Sequence, residues 1–226
     1  MITILHGALG SAHQFAPLQN AIGGPSRVMT FIGHGNEADI SEPWSIELFS
    51  RQLEQALELD HPKTPAQIFG YSMGGYVALD CAIRRPDLVA KIVTLGTKLL
   101  WTSKGALDEI KKLDADIIKA KVPAFAADLA LRHGENRWRT VLAKTADLMI
   151  ALGSHPLLTA DRCSEITVPV RYGLGDRDEM VSLQETVEWY KATPHAELSV
   201  LPLTRHPIER VDTNQLVRHI TSFLAP

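Results

Sequence analysis

The sequence predicts a doubly wound α/β fold, a mainly parallel sheet of about six strands with helices on both faces. Three observations carry this. Short apolar runs alternate with amphipathic stretches of helical period along most of the chain. The runs are continuously apolar rather than alternating, as expected of strands covered on both faces. Polar, glycine-rich or histidine-bearing segments follow the runs, at the strand ends where ligands bind in such sheets.

Taken in order, Ile2 to Leu5 is a buried strand that runs into His6-Gly7 and the small-residue loop Ala8-Leu9-Gly10-Ser11. Ala12 to Ile22 carries Phe15, Leu18 and Ile22 at helical spacing, and Gly23-Gly24-Pro25 stops it. Arg27 to Ile32 is a second strand, ending in Gly33-His34-Gly35. Ser45 to Leu59 is an amphipathic helix with Ser45 or Ser41 as its cap. Ala66 to Phe69 is a third strand, Met73 to Arg84 a helix closed by Pro86, and Val89 to Leu95 a fourth strand. From Lys98 to about Glu165 the strand signal disappears. Ser103 to Lys119, Val122 to Arg132 and Asn136 to Leu152 all read as helices. A stretch of roughly 65 residues far exceeds an ordinary crossover. Residues 98–165 are therefore expected to form a helical cap on a core built from 1–97 and 166–226. The strand pattern resumes at Val168 to Gly173. A helix follows at about Ser182 to Ala192, then a strand at Glu197 to Leu201 and a helix at about Asp212 to Phe223.

Composition narrows the function classes. The 226 residues are 45% hydrophobic and 22% charged, which suffices for a sizeable core. A net charge of −3 gives no reason to expect nucleic acid. Cys81 and Cys163 lie far apart and suggest neither a disulfide framework nor a metal site. No apolar run approaches membrane-spanning length. The first residues read as a strand rather than a signal peptide. A cytoplasmic protein with a small-molecule partner is expected, in an oligomeric state the sequence leaves open.

The chemistry is expected around Gly70-Tyr71-Ser72-Met73-Gly74-Gly75, which fits G-x-S-x-G between a strand and a helix. Ser72 would stand on a strained turn whose neighbours must be small. A serine hydroxyl needs a histidine to take its proton and a carboxylate to orient that histidine. Of nine histidines, His195 precedes a strand and His219 lies inside a helix. His13, His61, His133 and His155 read as surface residues. His6 opens the first loop, and His34 either lines a pocket or satisfies local backbone groups. His206 remains, on the loop after the last strand. For the acid, Asp176 and Asp178 compete in Gly175-Asp176-Arg177-Asp178-Glu179-Met180-Val181.

Together with His6-Gly7-Ala8-Leu9-Gly10-Ser11 and Gly33-His34-Gly35, these motifs resemble those of the α/β-hydrolase superfamily, over nearly the whole chain. In that family the acid usually stands in Gly-x-x-Asp-x-x-Val, a register that selects Asp178. The order serine, acid, histidine is also the family's. The resemblance implies a Ser72–Asp178–His206 triad and an oxyanion hole from the Met73 and Ala8 N–H groups, with Leu9 as second choice for the latter. It implies hydrolysis of a small or hydrophobic carboxylic ester and no cofactor or metal. Relatives with similar elbows also cleave lactones, thioesters or carbon–carbon bonds or act as lyases. A ligand receptor on the same fold is the non-enzymatic alternative. His34, Trp101, Trp138 and Met149 are expected substrate-binding residues, with Phe125 and Leu152 as further candidate walls. Lys98, Arg132, Arg137 and Arg139 would meet an anionic substrate or simply face solvent. Family members often begin with an antiparallel hairpin before the His-Gly strand. The sequence here starts at that strand, so a smaller sheet is expected.

Overall fold

The computed structural model describes residues 1–224. Six strands, β1 (Ile2–Leu5), β2 (Ser26–Met29), β3 (Ala66–Tyr71), β4 (Val89–Leu95), β5 (Val170–Gly175) and β6 (Ala196–Leu201), form one sheet in the order β2-β1-β3-β4-β5-β6. Every neighbouring pair is parallel. The chain leaves β1 for β2 on one side and returns to β3 on the other. The topological switch therefore lies between β1 and β3, where Leu5 is in register with Gly70. Ligands in open α/β sheets bind at this crevice, and the loops carrying Ala8 and Ser72 both leave from it.

Strand side chains alternate between the two faces. Ile4, Phe69, Val93 and Leu95 pack with Phe15, Leu18, Leu216 and Ile220, which belong to a short 3-10 turn (Ala12–Phe15), α1 (Ala16–Ile22) and the last helix, α10 (Thr213–Leu224). Leu5, Ile68 and Ile92 face the larger cluster, with Phe49, Leu53, Val77, Ala78 and Trp189. Those residues come from α2 (Ile46–Asp60), α3 (Met73–Arg84) and α9 (Leu183–Ala192). Both faces are covered, and this is why the inner strands β1, β3, β4 and β5 are mainly apolar, while the edge strands β2 and β6 carry polar residues such as Arg27 and Glu197.

Between β4 and β5 the chain is helical: α4 (Ser103–Ile110), α5 (Ala115–Lys121), α6 (Pro123–His133), α7 (Trp138–Ser154) and the short α8 (Ala160–Cys163). The single helix expected over Ser103 to Lys119 is two. Asp114 leaves the helical conformation (φ −67°, ψ 113°) and its carboxylate caps α5 by accepting the Asp116 and Ile117 N–H groups. Helical spacing of apolar residues continues across the break, so periodicity alone hides it. The strand expected over Arg27 to Ile32 ends at Met29, because the Ile32 N–H turns to the Gln52 side chain and the Phe31 N–H to His6.

Candidate active site

Ser72 sits between β3 and α3 with φ 51° and ψ −117°, a conformation that L side chains rarely adopt. Its surroundings enforce the turn. A Cβ on Gly70 would lie 2.5 Å from Gly75 Cα, and one on Gly74 would lie 2.5 Å from the Leu5 carbonyl oxygen. The end of β4 braces the turn, since the Ser72 N–H donates to Leu95 O at 2.9 Å and the Thr97 hydroxyl donates to Ser72 O at 3.1 Å.

Asp178 and His206 meet on the other side of Gly96. His206 Nδ1 lies 2.8 Å from Asp178 Oδ2. Asp178 Oδ1 accepts the Met180 and Val181 N–H groups, each at 2.8 Å. The carboxylate is nearly sealed from solvent (2% exposed) while the imidazole is 17% exposed. A side chain on Gly96 (φ 61°) would reach to 3.1 Å from Asp178 and 3.2 Å from His206. One β4 terminus thus touches the serine turn through Leu95 and the acid–imidazole pair through Gly96. Asp176 has a different task. Its carboxylate accepts the Thr204 N–H at 3.1 Å and so ties the loop after β5 to the loop after β6. Tyr71 supplies a further tie, its hydroxyl donating to His206 O at 2.8 Å.

Among the described residues Ser72 Oγ makes no hydrogen bond to His206. Ser72 lines a cavity of about 40 Å³ with Ala8, Met73, Tyr76, Lys98 and Trp101, whereas His206 lines an outer groove. Met180 borders both spaces. Such contacts are often long without a bound substrate. The Ala8 and Met73 N–H groups donate to no protein acceptor among the described residues, and both residues face the cavity with Ser72. Met73 opens α3, where N–H groups are free and the dipole end is positive.

The expected pocket walls divide. Trp101, Met149 and Leu152 line the cavity. Trp138 does not; it is 4% exposed and packs with Leu129 and Leu142. His34 is a correction too. It is fully buried, stacks on Trp44 at 4.5 Å between ring centroids, and its Nδ1–H donates to Ile32 O at 3.2 Å. His133, read as a surface residue, is 1% exposed. It accepts the Gly35 N–H on Nδ1 and therefore donates from Nε2 to Leu9 O. His6 accepts the Phe31 N–H on Nε2 and donates from Nδ1 to Gly7 O. These two rings, with Arg132 donating to Leu9 O at 2.7 Å, fix the loop that carries Ala8. Burial, the largest cause, lowers the pKa of His6 to about 3 and of His133 to about 4. It also holds His34 well below the usual histidine value.

Sequence reasoning missed Tyr71, Tyr76 and Glu185. Glu185 is 5% exposed and accepts the Leu99 and Leu100 N–H groups on one oxygen, both at 2.7 Å. A glutamate three residues after Ser182 reads as a first-turn helix residue, and nothing local shows that its carboxylate turns inward. No three His, Cys, Asp or Glu side chains converge as a metal site among the described residues. No helix there is long and apolar enough to cross a membrane.

A parallel doubly wound sheet with a serine held in a left-handed turn between β3 and α3 is the architecture of the α/β-hydrolase fold, and the chain has that fold. Residues 1–94 match the model of the thioesterase domain family. The chain is 31% identical, over 148 residues, to a pimeloyl-[acyl-carrier protein] methyl ester esterase of Neisseria meningitidis. That match covers 65% of this chain and 54% of the relative, so it spans about half the relative's length. A Bacillus subtilis protein provisionally named 2-succinyl-6-hydroxy-2,4-cyclohexadiene-1-carboxylate synthase is 26% identical over 99% of this chain and 89% of its own. In fold the chain is similar to NosK from Streptomyces actuosus, with a TM-score of 0.81 at 24% identity over 98% of this chain and 96% of that one.

Proposed function

We propose that this chain is a serine hydrolase that cleaves a small or hydrophobic carboxylic ester through an acyl-enzyme. The observation that carries the reading is the shared β4 terminus, which holds the Ser72 turn through Leu95 and seats the Asp178–His206 pair on Gly96. In this reading His206 Nε2 takes the Ser72 proton as Oγ attacks the acyl carbon. Asp178 keeps the proton on Nδ1 and stabilises the imidazolium. The Ala8 and Met73 N–H groups receive the oxyanion, each worth about 3–4 kcal/mol in comparable sites. His206 then protonates the leaving alcohol, and in the second half it activates water to release the acid. Residues 98–165 act as a cap over the carboxyl edge of the sheet, with Trp101, Met149 and Leu152 forming the substrate wall.

The test is labelling by a fluorophosphonate probe together with turnover of short-chain nitrophenyl esters. Both are expected in the native protein and absent in Ser72→Ala. A native protein that takes no label sinks the reading. A second reading, thioester cleavage, is favoured by the thioesterase-domain match over 1–94. It uses the same groups and is expected to show as a higher kcat/KM on an acyl thioester than on the oxygen ester of the same acid.

A further inference from the structure

Two polar groups in the cavity beside Ser72 have no task in the mechanism above. Most of the wall is apolar, with Trp101, Leu148, Met149 and Leu152 prominent. The Tyr76 hydroxyl is already engaged, accepting the Leu158 N–H at 2.7 Å. Lys98 and Thr145 are different. Thr145 is 1% exposed, and its hydroxyl has no hydrogen-bond partner among the described residues. The Lys98 side chain is only 15% exposed. An ammonium carries three donors, yet among the described residues the one carboxylate within 4 Å of it is that of Glu185, whose Oε2 lies at 3.6 Å. That distance is beyond a hydrogen bond. The other Glu185 oxygen is occupied by the Leu99 and Leu100 N–H groups, which pins the backbone beside Lys98. The ammonium also lies 5.6 Å from the Trp101 ring centroid. The ammonium is thus ion-paired with Glu185 without a hydrogen bond to it, and its N–H donors are open to a ligand in the cavity.

The two sides of the site can be told apart by the proton's path. The leaving group must face His206 to be protonated, and His206 lines the outer groove. The cavity holds Ser72 and both unused N–H groups and does not include His206. It is therefore the acyl side. At about 40 Å³ it holds a few water-sized groups, which suits a short acyl chain.

We propose that this cavity selects a short acyl group ending in a carboxylate, with the Lys98 ammonium as its anchor and the Thr145 hydroxyl as a second donor. The assignment of an acyl side rests on the hydrolase reading above; the anion-binding role of Lys98 does not. No bond changes at Lys98. It pairs with the free carboxylate while the distant ester carbonyl meets Ser72.

The experiment compares p-nitrophenyl hydrogen succinate with p-nitrophenyl butyrate, which match in chain length and differ in the terminal charge. The native protein is expected to prefer the succinate in kcat/KM by about tenfold or more, the scale of one charged hydrogen bond. Lys98→Met is expected to remove that preference, read as the ratio of kcat/KM for the two esters within the one variant. Lys98→Arg keeps part of it, and Thr145→Val loses a few-fold of it. A native protein that turns over both esters equally overturns the proposal, as does a folded Lys98→Met that keeps the preference. The native comparison decides even if the variant does not fold. Binding separates this from the hydrolase reading. Ser72→Ala titrated calorimetrically with monomethyl succinate and with methyl butyrate should favour the anion, and the added Lys98→Met should erase the difference. Anion preference in binding without fluorophosphonate labelling supports the Lys98 site and sinks the hydrolase. Labelling and butyrate turnover without anion preference does the reverse.

Discussion

Asp176 and Asp178 are two residues apart and have the same side chain, yet their surroundings separate them. Asp178 is 2.8 Å from His206 and accepts two backbone N–H groups, while Asp176 accepts the Thr204 N–H. If Asp178 orients the base, Asp178→Asn should cut kcat by several orders of magnitude, on the scale of 10⁴ seen when such an acid is replaced. Asp176→Asn should leave kcat within about tenfold, since it weakens one loop tie of roughly 1 kcal/mol. Steady-state kinetics on both variants checks this, and equal losses would refute the assignment. Tyr71 is a positioning residue by the same logic. Its hydroxyl holds the His206 carbonyl, so Tyr71→Phe should lower kcat a few-fold and leave KM nearly unchanged.

At the scale of elements, the elbow is decided by contact distance. A methyl group on Gly74 would sit 2.5 Å from the Leu5 carbonyl oxygen, on the strand next to β3. Relief would require α3 to move from the sheet. Gly74→Ala should therefore abolish labelling of Ser72 and lower the melting temperature, a larger effect than the modest gain alanine brings elsewhere in helices. Helix α5 tests a weaker device. The Asp114 side chain caps it from an exposed position, so Asp114→Ala should cost about 1 kcal/mol in urea unfolding. Both alterations follow local geometry, but only the first involves the crowding of a helix against a strand.

Across the whole molecule, buried neutral histidines link stability to pH. His6, His34, His133 and His219 all have pKa values below 6.5, chiefly through burial, with His219 at about 4. The unfolded chain binds these protons near pH 6.5 and the folded chain does not. Stability attached to the neutral rings is therefore complete above pH 6.5 and is lost as the pH falls towards the folded values. Each such ring contributes a slope of up to about 1.4 kcal/mol per pH unit in that window. Urea midpoints should fall steeply from pH 6.5 to 5 and hardly change from 7 to 8. His133→Gln should flatten the acid limb.

Much of this was legible in the sequence because it rests on short-range rules. Continuous apolar strands, helical spacing and glycines around Ser72 gave the parallel sheet, its six strands and the strained turn. Position after a strand singled out His206, and the Gly-x-x-Asp-x-x-Val resemblance singled out Asp178. The rest depended on groups that meet from far apart in the chain. His133 looked like a surface residue because its partners, Leu9 and Gly35, lie about a hundred residues away. His34 was at the correct edge of the sheet, but a Trp44 ring closes over it. Glu185 and Lys98 gained meaning from a backbone turn and a cavity that no periodicity encodes. Sequence alone marked the candidate groups and the edge of the sheet on which they stand, because strand direction fixes that edge. Only the tertiary structure decided which groups touch, which are sealed from water and which polar atoms are left for a substrate, because burial and hydrogen bonding are properties of the packed chain.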